Sequence, residues 1–259
     1  MKHLFIAIIG LSLLMLSCRR KDKDVTPTPE LKTYISKQTF HNIGIYTWSY
    51  DEQNRLKNIV FVSANESSNK SHTYSITAYD AQNRILEGKF DYVDPTVKDA
   101  RFKNTFNAAG KLERAQFYDD ATGAAESYNT TTYPSNQQTM FNSYRADGTL
   151  SYCDVHTLTA DMKNLAETKR YTGPNGTGTL TSTTTYSNYN STIKDYSPLY
   201  PVGYGSTPKR ENVHAVQVYT PTTGAAQSFT FTSEANADGY VTRRINASGT
   251  FNSYEYIKK

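Results

Sequence analysis

A seven-residue phrase recurs along this chain, and it constrains the fold more than any other feature. Tyr50-Asp51-Glu52-Gln53-Asn54-Arg55-Leu56 returns as Tyr79-Asp80-Ala81-Gln82-Asn83-Arg84-Ile85 and again as Phe106-Asn107-Ala108-Ala109-Gly110-Lys111-Leu112. The fifth column holds Asn54, Asn83 and Gly110, with Gly148, Gly239 and Gly249 in looser copies. These residue types tolerate positive φ, which a tight connection between antiparallel strands demands. Asp or Asn in the second column bonds its own backbone two residues on and starts the turn. An aromatic ends one strand in the first column, and Leu or Ile begins the next in the seventh. Each phrase therefore reads as a β-hairpin tip.

Main tips are expected at Asn54, Asn83, Gly110, near Asn136, near Lys163 and near Asn190, 26 to 29 residues apart. A second set lies between them: Asn65 to Lys70, Asp94-Pro95, Thr122-Gly123, Asp147-Gly148 and Asn175-Gly176. Turns at about half that spacing leave room for strands of ordinary length. The segments between them alternate Thr, Tyr, Phe, Val and Ile with polar residues, as in Ile45-Tyr46-Thr47-Trp48-Ser49-Tyr50. The sequence predicts an all-β, antiparallel up-and-down meander of about 16 short strands, closed into a flattened or plugged barrel. A round barrel of that size is too wide for side chains to fill. The 21 Tyr and 11 Phe would fill part of a flattened one, with a loop supplying the rest.

The start of the chain reads differently. Residues 1–17 combine Lys2 and His3 with an apolar run, Leu4 to Leu16, too short to span a bilayer comfortably, and read as a secretory signal. Met15-Leu16-Ser17-Cys18 resembles the bacterial lipoprotein cleavage box, which implies a diacylated Cys18; the plainer alternative is an ordinary signal with an incidental cysteine. Residues 18–38, with Pro27 and Pro29, read as a flexible tether, and 39–259 as one β-meander domain. Cys153 is then the single remaining cysteine and reads as a small packed residue. The net charge of +4 is concentrated before Val25, so the barrel is near neutral and nothing argues for nucleic acid as a partner.

The recurring phrase resembles the YD repeat of rearrangement-hotspot shells and teneurins, which coil long hairpin arrays into a casing. With the lipoprotein-like start and the stretch Tyr200-Pro201-Val202-Gly203-Tyr204-Gly205, running on to Asn212, the chain looks like Bacteroidota envelope lipoproteins of unknown function with a porin-like β fold. That resemblance implies an outer-membrane lipoprotein, its periplasmic or surface face undetermined, and no activity. An integral porin is the rival reading. Against it stand short strands, polar residues on both strand faces, an ending without a terminal aromatic (Ile257-Lys258-Lys259), and the redundancy of a lipid anchor on a spanning barrel.

Catalytic patterns are weak. His41, His72, His156 and His214 share no metal-ligand spacing, and no nucleophile elbow, phosphate loop or dinucleotide fingerprint is present in the sequence. No cofactor and no enzymatic activity are expected. One segment interrupts the hairpin rhythm: residues 196–210, with Pro198, Pro201 and Pro208, cannot form a central strand. Tyr196, Tyr200 and Tyr204, beside Lys209 and Arg210, either offer flat faces to a glycan or peptide or plug one mouth of the barrel. Two roles follow: a structural or interaction protein with an envelope partner, or a glycan- or peptide-binding module.

Overall fold

A computed structural model describes residues 31–65, 70–201, 203, 208 and 210–259. Sixteen strands follow one another: β1 (Thr33–Phe40), β2 (Gly44–Tyr50), β3 (Leu56–Ser63), β4 (His72–Tyr79), β5 (Ile85–Tyr92), β6 (Ala100–Phe106), β7 (Leu112–Asp119) and β8 (Ala125–Ser135), then β9 (Gln138–Arg145), β10 (Leu150–Leu158), β11 (Leu165–Tyr171), β12 (Leu180–Lys194), β13 (Asn212–Pro221), β14 (Gln227–Ala235), β15 (Val241–Asn246) and β16 (Phe251–Lys258). Each pairs antiparallel with its neighbours in sequence, and β1 pairs with β16, so the sheet closes into a barrel as expected.

The tips work as the phrase implies. Asn54 and Asn83 sit at φ 59° and 58°, and Gly110 at 75°. The Asp51 carboxylate accepts the backbone N–H of Gln53 (3.0 Å) and of Arg55 (2.8 Å), while Arg55 Nε returns to its second oxygen at 2.8 Å. Asp80 repeats this arrangement with Gln82 and Arg84. Asn107, Asn236 and Asn246 accept the corresponding backbone N–H groups of Lys111, Tyr240 and Thr250.

A second device joins one phrase to the next. In each hairpin β1–β2, β3–β4, β7–β8, β11–β12 and β15–β16, the paired register stops before the rim that carries the phrases. A carbonyl released there needs a partner, and a tyrosine of the next strand supplies it, Tyr50 and Tyr79 being first-column residues of the phrase. Tyr79 donates to Leu56 O, Tyr133 to Leu112 O (2.9 Å), Tyr189 to Leu165 O, Tyr50 to Ile35 O (2.7 Å) and Tyr256 to Val241 O (2.7 Å). Sixth-column cations lie over two of those rings, Arg55 over Tyr79 at 4.6 Å and Lys111 over Tyr133 at 4.7 Å, and Arg84 lies over Phe106 at 4.2 Å. The aliphatic residues whose carbonyls are claimed are largely the most buried in the molecule: Ile35, Leu56, Ile85, Leu165 and Val241 are 0–2% exposed.

Two boundaries differ from expectation. The first strand begins at Thr33, inside the stretch 18–38 read as tether. No phrase marks its turn, which Asn42 (φ 60°) makes instead, and Ile35 is buried against the barrel. Asn190 is not a chain reversal, because β12 runs through it to Lys194. Its side chain does accept from Thr192 N (3.0 Å) and Oγ1 (2.8 Å), the local bonding expected of a turn former. Here that bonding accompanies a register shift between Tyr189 and Lys194, and Lys194 N is drawn onto Gly239 O at 2.7 Å. One strand gained and one reversal lost leave the count at sixteen. The expected tip between Asn65 and Lys70 falls mostly on residues 66–69, which lie outside the described residues, as do residues 1–30 with the signal and Cys18.

Replacing Asn83 with Ala tests the left-handed tips. A Cβ-bearing residue without a polar side chain pays the full left-handed cost, so Asn83→Ala should lower unfolding free energy by about 1–2 kcal/mol with an unchanged urea m-value.

Candidate functional site: a plugged lumen with one aromatic wall

The chain leaves the sheet at the phrase-bearing rim after Lys194, and of the described residues that follow, Tyr196, Tyr200 and Gly203 turn into the lumen. The base of this loop is clamped by main-chain bonds from Asp195 N to Glu211 O (2.8 Å) and from Glu211 N to Lys163 O (2.9 Å). Ser197 reinforces it: its N–H donates to Asp195 Oδ1 at 2.8 Å, and its hydroxyl accepts Arg210 N at 2.8 Å. The Arg210 guanidinium lies 3.5 Å from Asp195, both side chains being buried.

The tyrosines singled out in the sequence face protein. Tyr200 stacks on Trp48 of β2 with centroids 5.0 Å apart and planes 11° from parallel, and its hydroxyl accepts Gln38 Nε2 at 2.8 Å. Tyr196 stacks on Tyr254 of β16 at 4.6 Å and touches Tyr200 at 5.5 Å. The structure therefore brings Tyr196, Tyr200 and Arg210 together in a plug, while Tyr204 and Lys209 lie outside the described residues. Gly203, at φ 95°, presses so closely on β5 that a Cβ would come within 2.9 Å of Ile85 O. Its own carbonyl accepts Asn104 Nδ2 at 3.1 Å, and the same amide donates to Ile85 O at 2.9 Å.

Beyond the plug the lumen has two kinds of wall. On β2 to β7 an aromatic ladder runs from strand to strand. Tyr46 stacks on Phe61 (4.5 Å), Tyr74 on Phe102 (5.3 Å, 4° from parallel), and Phe90 and Phe117 lean on Phe102 at 6.0 and 6.3 Å. Gly88 is required beneath this ladder, since a Cβ there would meet the Phe102 ring at 2.5 Å. Together with Phe141 of β9 and the row Asn104, Ala115, Asn129, these side chains line a partly open cavity of about 330 Å³.

The other wall is polar. Arg170 grips Asp154 through two bonds of 2.7 Å and lies over the Tyr152 ring, and His156 bonds Thr168 at 3.0 Å. On β14, four consecutive residues, Gln227 to Thr230, are exposed. Alternation would hide every second one in a filled barrel, so this part of the lumen is wet.

His214 sits deep beside the plug, 1% exposed, between Tyr186 (5.0 Å) and Phe231 (5.9 Å). Its carbonyl accepts Arg244 Nη2 at 2.9 Å, and that guanidinium lies 3.8 Å above the Phe231 ring. Burial first, then Arg244 and Arg210, push the imidazole down to about 3. Sequence reasoning passed over His214, Arg244, Asp195 and the aromatic wall, because none of them forms a motif; inward placement alone gives them a role. Among the described residues no group of three or more His, Cys, Asp or Glu side chains converges. Cys153 is buried and accepts Gly176 N at 3.2 Å, and burial raises its thiol.

Two solved structures of porin-like proteins are similar to this chain. One, from Bacteroides uniformis, is 13% identical, with 86% of this chain and 98% of that one covered at a TM-score of 0.41. The other, from Bacteroides vulgatus, is 9% identical over 87% and 99% of the two chains, also at 0.41. A third, TcdB2-TccC3, is 11% identical over 80% of this chain and 14% of its own, at 0.18. No family model and no curated protein matches the chain. The barrel assignment rests on the strand pairings described above.

Two measurements probe the site. Tyr200→Ala removes the ring that covers Trp48 and should cost about 2–4 kcal/mol of stability, with new protease cleavage within 196–210. A histidine depressed in the folded state binds its proton only when unfolded, so stability is complete above pH 6.5 and is lost as pH falls toward 3. Between pH 7 and 5 His214 should account for about 2 kcal/mol of lost stability. His214→Leu should flatten that limb in denaturant titrations at the two pH values.

Proposed function

We propose that this chain is a non-catalytic, lipid-anchored protein of the cell envelope, a plugged barrel that holds or presents and neither conducts nor transforms. The plug carries the reading: Trp48, Tyr200, Tyr196 and Tyr254 form a continuous aromatic stack across one mouth, fastened by Asp195 and Arg210. This favours packing over glycan capture as the work of Tyr196 and Tyr200, since each ring lies against a protein partner.

The outer surface supports anchoring in place of membrane spanning. On β5 and β6, Arg101, Lys103 and Thr105 are exposed between inward Phe102 and Asn104, and Lys103 pairs with Glu87 at 3.2 Å. Lys89 bridges Asp91 (2.6 Å) and Asp120 (3.2 Å). Charges on a lipid-facing strand cost roughly 2–4 kcal/mol each near the bilayer midplane.

Metabolic labelling with a palmitate analogue, together with planar-bilayer recording, tests the reading. The intact chain should take up label, lose it on Cys18→Ser, and show no unitary conductance. An unlabelled wild-type chain, or stable channel openings, would overturn the proposal.

A further inference from the structure

We propose that the aromatic half of the lumen is a binding site for an uncharged, ring-based planar molecule of two or three rings carrying one hydrogen-bonding group. Protein interiors seldom leave voids larger than a water molecule, because an empty apolar cavity loses contacts on every wall. A cavity of about 330 Å³ inside this barrel is more than packing requires. It is roughly twice the ~150 Å³ that admits benzene, which sets the size of the guest.

The shape of the space comes from Ala115. It lies across the sheet from Asn104 on one side and Asn129 on the other, and it is the smallest side chain with a Cβ on the wall. A larger residue there would close the space, so the opening is set at a single position. Around it the rings are held by stacking on one another before any guest arrives, Tyr74 on Phe102 being nearly parallel. A preformed flat face is the surface that a planar apolar molecule matches with least loss of freedom.

Polarity selects further. No Asp, Glu, Lys or Arg lines the cavity. A charged guest would lose its hydration without an opposite charge to replace it. Tyr46, His72 and Tyr74 bring polar atoms to the aromatic side, where His72 Nδ1 bonds Lys70 O at 2.8 Å; the Asn104 amide is committed to Ile85 O and Gly203 O, and the far wall offers Asn129 and Thr131 of β8. That is provision for one polar substituent.

N-phenyl-1-naphthylamine, a neutral three-ring amine whose emission rises on leaving water, is the probe. Titrated into the purified full chain, it should bind saturably at one site. Ala115→Phe, which fills the space, should weaken binding by about tenfold or more while melting no lower than wild type; Ala115→Leu serves if the phenylalanine variant misfolds. Val62→Ser, on the exposed outer face of β3, should bind as wild type, and 1-anilinonaphthalene-8-sulfonate should not compete. Absence of saturable binding, equal binding by the filled variants, an equal loss in Val62→Ser, or full competition by the sulfonate would each overturn the proposal. None of these readouts depends on Cys18 or on conductance, so failure here and failure of the envelope-anchor reading are separable.

Discussion

A phenol hydroxyl bonded to the main chain of the neighbouring strand holds this barrel at the rim where its sheet would otherwise fray. Hairpins joined at the far end lose their ladder before they reach the phrase-bearing end, and tyrosines on β2, β4, β8, β12 and β16 take up the released carbonyls. One such bond contributes only about 1 kcal/mol net. Its larger effect is indirect: an unpartnered carbonyl could not sit beside a fully buried Ile or Leu without a desolvation penalty of about 1–3 kcal/mol. The hydroxyls thus permit Ile35, Leu56, Leu165 and Val241 to be dry, and the Asn104 amide does the same for Ile85. At β13 the same service comes from Arg244, which reaches the His214 carbonyl. Each tyrosine contact links only neighbouring strands, as in repeat proteins, and closure of β1 on β16 converts that linear array into a ring.

The ring is wider than its side chains can fill, and the lumen meets that problem in three different ways. The 195–211 loop occupies one mouth with stacked rings. The β2 to β7 side is lined with aromatics in mutual contact. The β10 to β14 side is polar, with a buried Asp154 paired to a half-exposed Arg170 and with Gln227 to Thr230 of β14 exposed. A lumen with one apolar and one hydrated wall differs from both a packed core and an aqueous pore.

What the sequence revealed was local. Positive-φ positions at Asn54, Asn83 and Gly110 and the Asp or Asn that bonds two residues ahead were readable because each turn contains its own instruction. Asn190 carries the same chemistry and bends a strand instead, because the outcome depends on Gly239 holding Lys194, a contact 45 residues distant in sequence. The β1–β2 turn escaped notice for the opposite reason: Asn42 supplies the conformation without the surrounding phrase. Spacing of the first-column aromatics was visible, yet their hydroxyl partners were not, since those depend on where each ladder ends. The plug was legible as an interruption with three prolines. The cavity was not legible, because alternation names two faces without saying which is inward, and the pairing of Asn104, Ala115 and Asn129 across three strands is set by the ladders.

The third phrase begins with Phe106, which has no hydroxyl to offer the Ile85 carbonyl. Asn104, two residues earlier on the same strand, takes that carbonyl and extends its remaining amide proton to Gly203. The copy that opens on Phe106 is therefore the dock for the plug at Gly203. Imperfection in a tandem array is usually treated as erosion; at this position it breaks the rotational equivalence of the hairpins and tells an inserted loop which sector of the circumference to grip.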